Sequence, residues 1–248
     1  MSSIKTINIE QIMVPQDEPN LSENGIEVLI CNLEDAESYS IQKESADRLR
    51  NDDKIILFIG ILPLIIEEEK TILKSLQRAD SIRQCVDVCI LLNKEHFRGE
   101  NNLNHVEINS QIDCKIYEIV QSLRDILKEG KPGIDLETVK DALRDCGTLV
   151  LTRGVGIGRD RVDSAFNQAY KVPLYDKFDP DSAQNIIIKV LVSNQSQLSA
   201  EESSKLQRHI SSLPKRSNIV VGVGYKELKS DQMEIVILRT GVDFILNL

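Results

Sequence analysis

Residues 147–166, "GTLVLTRGVGIGRDRVDSAF", read as a strand, a glycine turn and the first turns of a helix. A dinucleotide cradle on this plan needs G-x-G-x-x-G, its glycines serving the turn, the approach to pyrophosphate and helix packing. Here the glycines are Gly154, Gly156 and Gly158, and Arg159 stands where the third should fall, so the register fails. No G-K-[ST] occurs anywhere, which removes the lysine and hydroxyl of a P-loop. Asp160 and Asp163 already put negative charge at the positive end of the helix dipole. The stretch is therefore expected to be a structural corner. Two other uses stay open at this point: an anion site at the helix N-terminus, and the active loop of an unrelated α/β enzyme.

Working outward, strands are expected at 148–153, 186–193, 218–224 and 233–240, with helices at about 160–170 and 199–213. Ser199 and Glu202 have the spacing of a capping box. The last two strands are joined by "YKELKSDQ", which suggests an antiparallel pair. Upstream, Ile116, Ile119, Val120, Leu123, Ile126 and Leu127 mark a helix that stops at Gly130 and Pro132, and Asp135 is placed to cap a shorter one. In the first half, "IKTINIE" and "GIEVLIC" look like short strands, and "KIILFIGIL" and "VDVCILLN" look like buried ones. Between that last pair, Ile72, Leu73, Leu76, Ala79 and Ile82 keep a helical period. The segment before "KIILFIGIL" could hold a short helix, and residues 98–110 are polar. This alternation is that of an α/β protein with a mainly parallel sheet.

Thirty Lys and Arg against 39 Asp and Glu leave a net charge of −9 over 248 residues, which argues against nucleic acid or an acidic membrane as partner. The longest apolar runs are too short to cross a bilayer and no leader is evident, so a cytoplasmic protein is expected. Five cysteines, Cys31, Cys85, Cys89, Cys114 and Cys146, form no C-x-x-C pair; Cys85 and Cys89 would share a face only on a helix, and reduced thiols without a metal are expected. His96, His105 and His209 are scattered and read as surface residues.

The second half resembles FtsZ, the bacterial relative of tubulin. "GRDR" at 158–161, "VPLYD" at 172–176 and "SAQNIIIKVLVSN" at 182–194 follow that family's order, and "LSAEESSKLQRHI", "SNIVVGVGYKEL" and "MEIVILRTGVDF" continue it, so the likeness covers 130–244. More thinly, "GIEVLICNLEDAESY" is similar to the family's second strand, and residues 58–97 to the strand, helix and strand before its core helix, here about 112–129. The resemblance implies a reduced Rossmann-like parallel-sheet domain (1–110), a long core helix (111–130) and an α+β domain with a mixed sheet (131–248). In that family the glycine turn of the second domain touches no nucleotide.

The resemblance also exposes what is missing. FtsZ holds GTP on glycine-rich loops, one after its first strand and one reading GGGTGTG. Here the first-strand loop reads as "NIEQIMVPQDEPN", without glycine and with the carboxylates Glu10, Asp17 and Glu18; the second loop is absent. Of the nucleotide positions, Glu67 matches the ribose-contacting Glu and Asp113 the base-reading acid, while Thr71 and Asn109 replace a basic residue and an aromatic. The catalytic N-x-D-x-x-D loop becomes "GIDLETV": Gly133 for Asn, Asp135 retained, Thr138 for the second acid, and Glu137 one residue out of register. A helix turns by about 100° per residue, so a carboxylate displaced by one points elsewhere.

The resemblance thus implies an FtsZ-like cytoskeletal protein without GTP or another cofactor, no longer a GTPase. It would act by contact with itself or with an authentic FtsZ through Gly133, Asp135 and Glu137. The chain stops at "DFILNL", without the terminal peptide that meets membrane adaptors, so no direct membrane anchor is expected. The alternative is a divergent GTPase that binds GTP or GDP on a rebuilt cradle from 8–25 with Glu67, Asn93 and Asp113.

Overall fold

The computed structural model describes residues 20–50, 52, 54–98, 103–171, 179, 182–193 and 197–242. The strand expected in "IKTINIE", most of the 8–25 loop, and "VPLYD" lie outside the described residues. The chain divides into two compact units, Met1–Glu118 with Leu143–Gly147, and Ile119–Ala142 with Thr148–Leu248.

In the first unit, β1 (Ile26–Asn32), β2 (Ile55–Leu62) and β3 (Val88–Asn93) form a parallel array in that order. Every residue of β2 is buried, as its unbroken apolar run requires of a strand covered on both faces. Helices α1 (Ala36–Leu49) and α2 (Glu69–Arg83) make the two crossovers, and Ala46, Ala79 and Ile82 pack with Phe58, Cys31 and Leu91 on one side of the sheet. The segment that was expected to hold a short helix is thus a full crossover of fourteen residues. A short α3 (Lys94–Arg98) follows β3.

Helix α4 (His105–Leu127) begins seven residues before the expected 112. Asn104 is the reason: its side chain accepts the amides of Val106 and Glu107 at 3.0 and 3.1 Å, while Glu107 returns a bond to the Asn104 amide at 2.9 Å. This reciprocal cap starts the helix inside a stretch whose composition is polar. After it come α5 (Leu136–Leu143) and β4 (Gly147–Ile157).

The second unit continues with α6 (Arg161–Tyr170), β5 (Asn185–Ser193), α7 (Ala200–Ser211), β6 (Asn218–Lys226) and β7 (Gln232–Thr240). The Ser199/Glu202 capping box is present at α7, both halves made. The antiparallel pairing expected between β6 and β7 is not found. β6 pairs in parallel with β5, and β7 lies on the other side of β5, antiparallel to it and to β4. Burial explains the choice. Eight of the nine residues of β7 are buried, so it belongs inside the sheet, whereas β6 is half-exposed and suits an edge.

The glycines of the opening stretch serve packing. Gly154 and Gly156 belong to β4, which runs four residues past the expected 153, and only Gly158, with φ +76°, makes the turn. A Cβ on Gly154 would lie 2.0 Å from the Ala165 carbonyl oxygen, and one on Gly156 1.9 Å from that of Arg161. Backbone therefore meets backbone where α6 crosses β4.

A polar network that composition did not announce ties the second half of α4 to this sheet. Arg153 reaches Asp125 at 2.6 Å and also pairs with Glu234, and Lys226 joins the same two acids at 3.1 and 2.9 Å. Burial pushes the Asp125 carboxyl up, but the charges of Arg153 and Lys226 outweigh it and hold the group below the usual range.

Candidate functional site

Two places carry the residues that sequence singled out: the carboxyl ends of β1, β2 and β3 in the first unit, and the segment 130–138 in the second. In open α/β sheets ligands collect at strand carboxyl ends, where loops and helix N-termini offer free amides.

At the β1 exit the protein's own side chains occupy that place. The chain leaves β1 through Asn32, Leu33, Glu34 and Asp35 directly into α1. Leu33 is fully buried, its amide bonded to the Ile61 carbonyl at 3.0 Å. Its carbonyl accepts from Ser75 at 3.1 Å and Arg78 at 2.6 Å. Asp35 caps α1 by accepting the amides of Glu37 and Ser38 at 2.9 and 3.4 Å. A phosphate at this helix N-terminus would have to displace that carboxylate and sit beside Glu34, which pairs with Lys94. The first-strand loop expected at 8–20 lies, but for Asn20, outside the described residues, and sequence reasoning did not single out this exit. The legible signal was Asp35 one residue ahead of a helical pattern.

The β3 exit is similar. The Asn93 side-chain oxygen accepts the Glu95 amide at 2.9 Å, capping α3. Glu95 in turn accepts the Ile65 amide at 3.3 Å and pairs with Arg98 at 3.3 Å. Leu62 is opposite Asn93 in register, so the loop carrying Glu67 leaves the sheet beside Asn93. Glu67 is half-exposed ahead of α2 and followed by Glu68 and Glu69, a run of negative charge at that helix's start. Asp113 lies more than two turns into α4, where desolvation raises its carboxyl above the usual range. These exits hold several carboxylates, and the amides of Leu33, Glu37, Ser38, Ile65 and Glu95 are bonded, whereas α2 starts without a side-chain cap. Asp35→Ala is expected to cost about 1 kcal/mol through loss of the cap; urea unfolding at neutral pH checks it.

In the second unit, Gly130 forms a bridge with Gly224, and a Cβ there would meet the Val223 carbonyl oxygen at 1.6 Å. The Pro132 carbonyl accepts the Val223 amide at 2.8 Å, so residues 130–132 lie along the outer edge of β6. Asp135 caps α5, bonded by the Thr138 amide at 2.9 Å and the Thr138 hydroxyl at 2.6 Å, and these bonds hold its carboxyl below the usual range. Glu137 points outward, 74% exposed, with Lys140 at 3.4 Å. Gly133 is exposed beside them. A cavity of about 660 Å³, lined by Leu127, Gly130, Lys131, Ile134, Asp135 and Tyr225, opens at this segment.

The other candidates take structural places. Cys85 follows α2 and Cys89 belongs to β3, so they share no helix face; burial pushes Cys31 and Cys89 up to about 11, which makes them poor nucleophiles. His209, expected at the surface, is half-buried, stacked on Phe166 at 4.4 Å and bonded to Asp163 at 2.7 Å. No helix among the described residues is long and apolar enough to cross a membrane.

No family model matches the chain. It is 24% identical over 192 residues to the cell division protein FtsZ of Porphyromonas gingivalis, covering 76% of this chain and 42% of that protein. It is also 24% identical over 196 residues to FtsZ 1 of Rhizobium meliloti, covering 77% and 33%. The chain thus spans less than half the length of these two curated relatives. Among solved structures, a point mutant of FtsZ from M. jannaschii superposes with a TM-score of 0.75 at 19% identity, over 91% of this chain and 69% of that one. A CetZ2 from Haloferax volcanii, solved as a GTPγS-bound protofilament, gives 0.69 at 16% identity over 88% and 66%.

Proposed function

We propose that this chain, similar to FtsZ in sequence and in fold, is a divergent FtsZ-like protein of the tubulin superfamily and works as a cytoskeletal contact protein that neither binds nor hydrolyses GTP. The observation that carries this reading is the β1 exit. Where a nucleotide-binding α/β unit offers free amides, this chain has a buried leucine and a carboxylate already seated on the helix N-terminus. Removing amide donors forfeits charge-assisted hydrogen bonds of about 1.5–3 kcal/mol each, enough together to lose a micromolar ligand. Asp135 supports the same reading, since both of its carboxylate oxygens serve Thr138.

The segment 130–138 then acts as a docking surface, for a second copy or for an authentic FtsZ. It is fixed to β6 by the Pro132–Val223 bond and presents Glu137 and the half-exposed Tyr225. Calorimetry with GTP and GDP at millimolar concentration is expected to show no heat. Pelleting with an authentic FtsZ should change the amount or length of its polymers, and Glu137→Lys should weaken that effect. Micromolar nucleotide affinity, or polymers indifferent to the added chain, would overturn the proposal.

A further inference from the structure

At the opposite end of the parallel sheet, where β2 and β3 begin, the first unit encloses a cavity of about 330 Å³. Four basic side chains line it, each from a different segment: Arg50 just past α1, Lys54 just before β2, Arg83 closing α2, and Arg144 after α5. The lining carboxylates are Asp87 and Asp145. Asp87 is engaged in holding the frame. Its two oxygens accept the amides of Ile56 at 2.8 Å and Asp145 at 3.3 Å, and its carbonyl accepts that of Gly147 at 3.0 Å.

The helix dipole accounts for part of this charge. Arg50 and Arg83 stand at helix C-termini, where a cation is favoured, and Arg50 donates to the Gln84 carbonyl at 3.0 Å. Lys54 alone falls outside that explanation, since Arg144 also directly follows a helix, α5. Lys54 precedes a strand and pairs with Glu27 at 2.6 Å; Arg144 faces the same cavity as the ends of α1 and α2. In a chain of net charge −9, four cations on one concave polar wall focus positive potential there.

We propose that this cavity binds a small anion of the phosphate class, either inorganic phosphate or a phosphate monoester. Three of the four cations are arginines, whose planar forks match phosphate oxygens two at a time. The volume is near the lower end of the range of about 300–1,000 Å³ for small-ligand pockets, which suits a phosphorylated small molecule. The two ends of the sheet thus differ: a carboxylate caps the helix at the β1 exit, and cations line the strand starts.

The test titrates the full chain with inorganic phosphate, glycerol phosphate, succinate and chloride at matched ionic strength, read by thermal shift and by phosphorus NMR of the phosphates. Phosphate or glycerol phosphate is expected to saturate, and the tighter of the two identifies the source. Arg50 and Arg144 are both exposed, so Arg50→Gln with Arg144→Gln leaves the core intact. Binding should weaken at least about tenfold in that variant, the worth of one charge-assisted bond. Arg144→Gln alone should weaken it measurably, which keeps the result readable if the double variant unfolds. Lys70→Gln with Lys74→Gln, exposed on α2, removes the same charge elsewhere and should leave binding unchanged. Equal affinity in the Arg50/Arg144 variant, equal loss in the α2 control, a response to succinate or chloride as strong as to phosphate, or no saturable response would overturn the assignment.

Discussion

Gly154→Ala is expected to destabilise the second unit by about 3 kcal/mol or more, at the upper end of overpacking costs because the obstacle is backbone. The new methyl would lie 2.0 Å from the Ala165 carbonyl oxygen and 2.5 Å from the Ala169 nitrogen. Neither atom can rotate away. α6 would have to lift from β4, opening a core that includes Val162, Ala165, Phe166 and Ala169. Val155→Ala, one residue along on the exposed side of β4, should change stability by less than about 0.5 kcal/mol. Chemical denaturation of both variants decides the matter: equal midpoints would show that no such backbone contact exists.

Arg161→Ala is expected to cost about 3–5 kcal/mol, the penalty for removing one partner of a buried ion pair. Arg161 is only 5% exposed. Its guanidinium holds Glu202 through two bonds of 2.6 and 3.2 Å and donates to the Ser230 carbonyl at 3.0 Å, so α6, α7 and the β6–β7 turn meet on one side chain. Glu202 also completes the cap of α7, and the loss would reach that helix. The pH dependence follows from the same pair. Arg161 holds the Glu202 carboxyl below its ordinary value, so the unfolded chain takes up the proton first as pH falls. The stabilisation is fully present above the ordinary Glu pKa of about 4.3 and is lost as pH drops through the lower folded value. In Arg161→Ala this share of the acid sensitivity should disappear. An unchanged acid limb in denaturation curves from pH 6 to 3 would remove Glu202 from the account.

Much of this architecture was legible because it depends on local pattern. β2 is a run of eight apolar residues, and a run of that length is buried wherever it lies. Ser199 and Glu202 declare their capping box by spacing alone. The core helix was read seven residues short because apolar periodicity, the signal used, starts later than the Asn104–Glu107 cap that begins it. Glu67, Asn93 and Asp113 could be named as candidate nucleotide positions, but not the engagement of Asn93 in capping α3. Such bonds depend on where neighbouring strands end.

The sequence by itself determined the kinds of elements, their order, and the family they resemble, since periodicity, caps and glycine spacing act over a few residues along the chain. Only the tertiary structure decided that β7 enters between β4 and β5 while β6 takes the edge, that Gly154 and Gly156 serve a backbone contact, and that Lys189 is buried in β5 with its amine on the Lys128 carbonyl. The physical reason is the same in each case. Burial and hydrogen-bond satisfaction are settled between segments tens of residues apart, and a lysine, a glycine or an aspartate has the same local signature whether its partner is water or another strand.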